Sequence, residues 1–320
     1  MLKRCMALLL CAAAVMSIAL SGCGSDSKGS KGSKGSKGSK SSAQSEISKI
    51  KVSVSFDAMK ELTEAVGDDR VEVSTIIPDG TEPHDFEPKA KDLAALSTAK
   101  VFVYNGLGME AWAADAVKSA NNPNLVAVEA SKGVDPIKNT DAGEIKEHGQ
   151  YDPHVWISLK GAETEVKNIK DALVKADPAN KAYYEKNCND FVSKLEGLYT
   201  DYQKRFQSVG KKTFVTGHAA FAYLCRDFGL KQNSVEDVFA EGEPSAQQLS
   251  ELAKYCKANK VTTIFSEKTA SADISKTLAR EVGAKVETIY TFESKEENKS
   301  YQARMRSNLS KIYNSLKDKA

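Results

Sequence analysis

Three of the four histidines in the chain stand where an apolar run or a turn leads into a helical pattern. His84 lies in the loop after the apolar run 73–77, His154 follows an Asp-Pro turn, and His218 ends the predicted strand 212–218. A single histidine in such a place is more often a surface or core residue. Three together favour a metal site, because three imidazoles with one carboxylate or water complete the tetrahedron that zinc prefers.

Short apolar runs alternate with helical patterns along both halves of the chain, which is typical of βαβ units and parallel sheets. In such sheets ligands bind beyond the carboxyl ends of the strands, and His84 and His218 lie at such ends. The predicted strands are 49–56, 71–77, 99–106, 124–130, 212–218, 234–239, 261–267 and 285–292. The predicted helices include 57–67, 88–98, 160–175, 243–259, 272–282 and 300–317.

A long helical pattern restarts at Asp177-Pro178 and continues to about Val209. Its apolar side chains recur at three- and four-residue spacing, as in a helix with one buried face. A helix of roughly 30 residues is about 45 Å long, too long for one small α/β domain. We therefore predict an α/β fold with two lobes, residues 47–177 and 210–320, joined by one long rigid helix at 178–209, with a metal site in the cleft. The recurring residues are Tyr184, Cys188, Phe191, Leu195, Leu198, Tyr202 and Phe206.

The first 46 residues predict where the protein acts. Residues 1–22 have the pattern of a secretory signal, with an apolar stretch that is short for a membrane span. The Leu-Ser-Gly-Cys sequence that ends at Cys23 resembles the lipobox of bacterial lipoproteins, in which the cysteine becomes the lipidated N-terminus. An ordinary signal peptide with a chance cysteine is the alternative. Residues 23–46 are rich in Gly, Ser and Lys and are predicted to be a flexible tether, so the protein is expected outside the cytoplasm on a membrane anchor.

Charge and cysteine content restrict the function further. The chain has 45 basic and 43 acidic residues, and we predict no nucleic-acid surface from this balance. No CxxC pair is present, which disfavours a thiolate zinc site or a thioredoxin-like motif. Besides Cys23, the cysteines beyond the signal are Cys188, Cys225 and Cys256. One disulfide is expected outside the cytosol, with Cys225–Cys256 favoured because both lie in the same half, although sequence cannot fix the pairing.

Several stretches resemble the metal-binding solute-binding proteins of bacterial ABC importers, a family that captures zinc or manganese outside the membrane. They extend from about residue 50 to the end of the chain, and the first two are specific to the family. The resemblance implies two α/β lobes bridged by one rigid helix, with a metal in the cleft. The stretches are PDGTEPHDFEPKAKDL, YDPHVWISL, GHAAFAYLCRDFGL, EGEPSAQQLSEL, FSEKTAS and IYTFESKEENKSYQARMRSNLSKI.

The resemblance also implies a set of ligands. His84, His154 and His218 match the first three ligands of the family, and Glu293 stands where the family commonly has an Asp. Glu267 matches a recurrent acidic residue near the site, either supporting a ligand or replacing one. The fourth ligand is thus Glu293, Glu267 or water. The second nitrogen of each ring needs an acceptor, and the candidates by position are Asp85, Asp152, Glu241 and Glu243.

His218 bears on the identity of the metal. Members of the family that resemble manganese binders tend to have a carboxylate at this position, and imidazole favours zinc over manganese. Zn²⁺ is therefore the predicted cargo, with manganese or iron as the alternative. Zinc binders often carry a long His-rich loop before the second ligand, whereas residues 139–150 contain only His148. His148 either helps to capture metal or is a solvated loop residue.

The predicted function is capture of Zn²⁺ outside the cytoplasm and its delivery to an ABC permease and its ATPase, by a monomeric lipoprotein that is not an enzyme. The chain after the signal has no apolar segment of about 20 residues and no Walker motif, so transport requires separate partners. A zinc hydrolase with Glu267 or Glu293 as base is a rival, but no HExxH pair or nucleophile motif supports it. A metal-binding adhesin is a second rival.

Overall fold

The computed structural model describes residues 48–140, 145–146, 149–238, 244–267 and 272–317. Outside these ranges lie the predicted signal peptide and tether, together with Cys23, His148, Glu241 and Glu243. Within them, no helix is both long and apolar enough to cross a membrane.

Four parallel strands form the sheet of the first half: β1 (Ile50–Val54), β2 (Val71–Thr75), β3 (Val101–Tyr104) and β4 (Val126–Glu129). Their order is β2-β1-β3-β4, so the central strands β1 and β3 are covered on both faces and are largely buried. Helices α1 (Asp57–Gly67) and α2 (Ala113–Ser119) follow these two central strands. The strand order reverses between β1 and β3, where ligand loops emerge in sheets of this type.

Two long helices continue the chain, α3 (Leu159–Ala176) and α4 (Lys181–Gln207), with a 3₁₀ turn at Pro178–Asn180 between them. The side chain of Ser158 accepts a hydrogen bond from the backbone N–H of Gly161 and so caps the start of α3. The buried face of α4 consists of the seven recurring apolar residues that its spacing singled out. The predicted linking segment 178–209 contains this helix, while the limits of the two lobes remain a prediction.

The second half repeats the arrangement with β5 (Thr213–Thr216), β6 (Lys231–Ser234), β7 (Thr263–Ser266) and β8 (Lys285–Thr288), parallel and in the order β6-β5-β7-β8. Two α/β lobes with parallel sheets are therefore confirmed. The helices of this half are α5 (Ala222–Phe228), α6 (Ala246–Ala258), α7 (Ala272–Val282) and α8 (Tyr301–Leu316).

The two halves share one apolar cluster, which includes Phe56 and Trp156 from the first half, Phe206 from α4, and Phe214 and Tyr301 from the second. A fully buried ion pair lies beside it, where Nη2 of Arg304 in α8 is 2.7 Å from Oδ2 of Asp57 in α1. Removing one partner of such a pair leaves a buried charge without compensation. The contact therefore holds α8 against the first half.

The helix predicted at 88–98 is wrong, because only a 3₁₀ helix at Ala94–Ser97 is present. The carboxylate of Asp92 accepts a hydrogen bond of 2.8 Å from the backbone N–H of Lys89. Such bonds from Asp side chains to the nearby backbone compete with helix formation.

The strand predicted at 234–239 is also misplaced, because β6 occupies Lys231–Ser234 instead. Gly229 ends α5 in the left-handed conformation, with φ of 64°, and the chain enters the strand two residues later. β6 lies at the edge of its sheet, where polar side chains face solvent, so it contains no apolar run that predicts a strand.

The expected Cys225–Cys256 disulfide is wrong as well. Cys188, Cys225 and Cys256 are buried free thiols. Cys225 packs in the large apolar cluster shared by both halves, whereas Cys256 packs in a second cluster formed by α6, α7 and the neighbouring strands. The two cysteines are thus in the same half of the sequence but in different parts of its core.

Candidate metal centre

Four predicted side chains meet at the carboxyl ends of the strands. His84 lies in the loop after β2, His154 just before α3, His218 two residues after β5, and Glu293 beyond β8. One ligand atom from each lies within 4.8 Å of the others. Their side chains are at most 2% exposed, so the group is closed to solvent.

The separations within this group suit a tetrahedral ion. Nε2 of His154 lies 3.2 Å from Nε2 of His84 and 3.4 Å from Nε2 of His218. Oε1 of Glu293 lies 3.7–3.8 Å from the Nε2 atoms of all three histidines. Ligand atoms about 2.05 Å from a zinc ion at tetrahedral angles are about 3.3 Å apart. The four atoms are therefore close to the spacing that such an ion needs.

Asp152 fixes the orientation of His154. Its Oδ1 accepts hydrogen bonds from the backbone N–H and from Nδ1 of His154, at 2.8 and 2.9 Å. Because a carboxylate only accepts, the proton is on Nδ1 and Nε2 faces the group. Burial opposes the charged imidazole, but the hydrogen bond to Asp152 and the nearby carboxylate of Glu293 raise the pKa of His154 to about 9.

The turn that carries His154 is held by further buried contacts. The side-chain amide of Asn105, just after β3, donates to the carbonyl of Pro153 at 2.9 Å. The hydroxyl of Tyr223 in α5 donates to the carbonyl of Asp152 at 2.7 Å. One bond comes from each half of the molecule, so both halves position this histidine.

His218 stands in an environment that keeps it neutral. Burial lowers its pKa to about 4, although the charge of Glu293 acts in the opposite direction. Its carbonyl accepts hydrogen bonds from Thr216 Oγ1 and Gln232 Nε2, at 2.6 and 2.8 Å. A neutral ring has a lone pair for a cation, so this histidine needs no deprotonation before binding.

Glu267 lies behind His218 and outside the group of four. Its Oε1 is 3.8 Å from Nδ1 of His218, the nitrogen that faces away from the other rings. The same oxygen accepts hydrogen bonds from the backbone N–H groups of Gly217 and His218. Burial raises the pKa of Glu267 to about 8. This geometry favours a supporting role over that of a substitute ligand.

Glu293 follows a residue with an uncommon backbone conformation. Phe292 has φ of 64°, in the left-handed region, and its ring packs beneath the guanidinium of Arg304 at 4.8 Å. Oε2 of Glu293 accepts a hydrogen bond of 2.7 Å from the hydroxyl of Thr291, which turns Oε1 toward the histidines. Burial disfavours the carboxylate, but the nearby imidazoles, His154 above all, lower the pKa of Glu293 to about 2.

The loops of His84 and Glu293 are tied directly to each other. The backbone N–H of Gly80 donates to Oγ of Ser294 at 3.0 Å, and the backbone N–H of Lys295 donates to Oδ1 of Asp79 at 3.3 Å. Gly80 has φ of 81°, which a residue with a side chain adopts only under strain. These contacts bring the loop of His84 in the first half against the loop of Glu293 in the second.

Sequence reasoning missed one carboxylate at the site, that of Glu82. Its Oε1 accepts a hydrogen bond of 3.3 Å from the backbone N–H of His84 and lies 3.9 Å from Nε2 of the same residue. Burial and the charge of Glu293 raise its pKa to about 8. In the sequence, the available signal for Glu82 was its position two residues before the predicted ligand His84. Asp85, a candidate acceptor by position, is exposed.

The family model of ZnuA, described as the periplasmic component A of a zinc-uptake complex, matches residues 52–315. The chain belongs to the ZnuA family. The match covers almost all of the described residues and all four side chains of the group.

Individual relatives agree with this assignment. A protein of Treponema pallidum (strain Nichols), named only as a candidate metal-binding protein, is 46% identical over 273 residues, which are 83% of this chain and 86% of the relative. The high-affinity zinc uptake system protein ZnuA of Bacillus subtilis (strain 168) is 39% identical over 284 residues, which are 84% of this chain and 88% of the relative. A zinc-bound crystal structure of a ZnuA deletion mutant superposes with a TM-score of 0.75 at 30% identity, covering 85% of this chain and 100% of that one. The resemblance to metal-binding solute-binding proteins is thereby confirmed.

Proposed function

We propose that this ZnuA-family protein captures Zn²⁺ outside the cytoplasm and delivers it to an ABC permease and its ATPase. The observation that carries the proposal is the convergence of three imidazole nitrogens and one carboxylate oxygen within 4.8 Å, in side chains closed to solvent. The proposed ligands are His84, His154, His218 and Glu293. The description of the family as one component of a zinc-uptake complex supports the need for partners.

The composition of the group supports zinc over manganese. Three imidazoles and one carboxylate form a nitrogen-rich set, which borderline-soft Zn²⁺ accepts better than Mn²⁺ does. Tetrahedral zinc with four protein ligands is common, whereas manganese favours octahedral sites rich in oxygen. We therefore take zinc as the cargo of this protein.

The same composition supports binding without catalysis. A hydrolytic zinc site keeps one coordination position open for water or substrate. Here the carboxylate of Glu293 lies at nearly equal distances from all three histidines, which supports the proposal that it takes the fourth position. A zinc hydrolase would also need a base beside the open position, and Glu267 lies on the far side of His218. The protein is therefore proposed to bind metal and not to act as an enzyme.

The proposal for the N-terminal region rests on the sequence alone. Cys23 is proposed to carry the lipid anchor, and residues 23–46 are proposed to be the tether between the membrane and the lobes. The protein is proposed to act as a monomer, because one chain supplies all four ligands.

A competition titration against a chromophoric chelator tests the function, with zinc and manganese, on the wild type and on His218→Ala. We expect zinc to bind one to one and far more tightly than manganese, with a preference that collapses in the variant. Asp190→Ala, at an exposed position of α4, serves as the control and is expected to match the wild type. Manganese binding that equals zinc binding and is unaffected by His218→Ala would contradict the proposed ligand set.

A further inference from the structure

Four carboxylates of the described residues lie within 4 Å of an imidazole nitrogen of the group: Glu82, Asp152, Glu267 and Glu293. The side chains of the last three are at most 3% exposed. The side chain of Glu82 is 32% exposed. Of these four carboxylates, Glu82 alone is therefore in contact with both solvent and a proposed ligand.

A closed site poses a kinetic problem for its cargo. The histidine side chains are 1%, 0% and 2% exposed, so a hydrated ion cannot reach the three imidazoles together. The ion has to exchange its water ligands for protein ligands one after another. An oxygen ligand that contacts solvent and the first imidazole at once lowers the barrier to this exchange.

Glu82 has the geometry for such a role at His84. One carboxylate oxygen is fixed 3.9 Å from Nε2 of His84, and its hydrogen bond to the backbone N–H of the same residue holds it there. Glu293, by contrast, is within 3.8 Å of all three Nε2 atoms. Glu293 therefore lies inside the group, whereas Glu82 lies between the group and the solvent.

We propose that Glu82 is a transfer ligand, which binds the incoming Zn²⁺ beside His84, passes it to the three imidazoles and Glu293, and takes it up again on release. This inference rests on the proposed function of zinc capture. Glu82 is not a ligand of the fully bound ion, because the four inner side chains already complete a tetrahedron. It stabilises the ion only between solvent and site.

A group that contacts the ion only during transfer has a distinct kinetic effect. It lowers the barrier in both directions, so its loss slows association and release by the same factor and leaves the dissociation constant unchanged. A ligand of the bound ion behaves differently, since its loss accelerates release and weakens binding. Rates and affinity together therefore separate the two roles.

Stopped-flow fluorescence can follow both rates. The ring of Trp156 lies 5.1 Å from that of His154 and reports on zinc at the site, and the chain has only one other tryptophan. Association is measured by mixing the protein with zinc, and release by adding excess EDTA to the loaded protein. Glu82→Gln keeps an oxygen acceptor for the N–H of His84 but replaces the carboxyl group with an amide. Glu87→Gln makes the same replacement at an exposed position of the same loop and serves as the matched control.

We expect Glu82→Gln to slow association and release each by about tenfold, with a dissociation constant within about twofold of the wild type, and Glu87→Gln to match the wild type. Faster release with weaker binding would overturn the inference, because Glu82 would then be a ligand of the bound ion. Wild-type rates in Glu82→Gln with slow rates only in Glu82→Ala would also overturn it, because only the hydrogen bond to the backbone would matter. If the wild type itself binds no zinc in the competition titration, the proposed function fails and this inference with it.

Discussion

The indole N–H of Trp156 donates a hydrogen bond of 2.7 Å to the carbonyl of Thr291. Trp156 lies two residues after His154, and Thr291 lies two residues before Glu293. Both residues are fully buried. The hydroxyl of Tyr301 donates a further hydrogen bond of 2.6 Å to the carbonyl of Trp156. The segment that carries His154 in the first half is thus joined to the segment that carries Glu293 in the second by a contact that does not involve metal.

Replacing Trp156 with Phe is expected to lower the free energy of unfolding by roughly 2 kcal/mol, because it removes buried volume and leaves the carbonyl of Thr291 without its donor. Zinc affinity is expected to fall as well, since His154 and Glu293 lose a shared support. Urea denaturation and chelator competition measure the two effects. Trp112→Phe is the control, because Trp112 is half-buried and its indole N–H has no hydrogen-bond partner among the described residues. Unchanged zinc affinity in Trp156→Phe would show that the contact stabilises the fold without organising the site.

Replacing Asp152 with Asn is expected to weaken zinc binding by about 10- to 100-fold. The amide oxygen can still accept from the backbone N–H of His154, but the carboxylate charge that supports Nδ1 is lost. Isothermal titration calorimetry in a competing chelator measures the change. Asp190→Asn, exposed on α4, loses the same charge far from the ligands and is expected to keep full affinity. Equal affinity of the two variants would mean that Asp152 does not tune His154.

Zinc is expected to stabilise the folded protein, because the proposed ligands from both lobes are together only in the native state. At a free zinc concentration of about 1,000 times Kd, this linkage contributes roughly 4 kcal/mol. Thermal unfolding with zinc and with EDTA measures the shift. The shift is expected to shrink strongly in Glu293→Gln, which keeps the shape of the side chain but not its charge. A full shift in that variant would remove Glu293 from the ligand set.

The pH dependence of stability is expected to reflect Glu165 in α3. This side chain is fully buried, and neither carboxyl oxygen has a hydrogen-bond partner among the described residues. Burial, followed by the charge of Glu110, raises its pKa from 4.5 to about 8. The folded state therefore holds the proton more tightly than the unfolded state. Its contribution to stability is complete below pH 4.5 and is lost as the pH rises toward 8, by up to about 1.4 kcal/mol per pH unit.

Replacing Glu165 with Gln tests this expectation. The amide does not titrate, so the free energy of unfolding at pH 8 is expected to exceed that of the wild type, and its decline between pH 5 and 8 is expected to be shallower. Urea denaturation at several pH values measures both. Glu196→Gln, at an exposed position of α4, is the control. Parallel pH profiles for Glu165→Gln and the wild type would contradict the raised pKa.

The sequence predicted much of the fold because its signals are local and periodic. The stripe from Tyr184 to Phe206 requires a helix with one buried face, and the same seven residues are buried in α4. The polar edge strand β6 carries no such signal, because its pairing with β5 is set by the neighbouring strand and not by its own side chains. The predicted pairing of Cys225 with Cys256 is wrong for a similar reason, since proximity in sequence does not determine in which part of the core a cysteine packs.

The histidines of the site were easier to predict than its carboxylates. Histidine is rare in this chain, so three of them at the ends of predicted elements form a recognisable pattern. Carboxylates are abundant, and Glu82 looks like any other loop residue until the folded chain brings it within 3.9 Å of His84 Nε2. Only the folded structure distinguishes Glu293 from Glu267. Glu293 faces all three imidazole rings, whereas Glu267 lies behind the ring of His218. That Glu293 is the fourth ligand remains a prediction.

The most direct test of the proposed ligand set is a crystal structure of the zinc-loaded protein, with the ion located by anomalous scattering at the zinc absorption edge. We predict one ion per chain, bound by Nε2 of His84, His154 and His218 at about 2.0–2.1 Å and by an oxygen of Glu293 at about 2.0–2.2 Å, with Glu82 outside the coordination sphere. An ion held elsewhere, or one held by fewer than three of these histidines, would contradict the account.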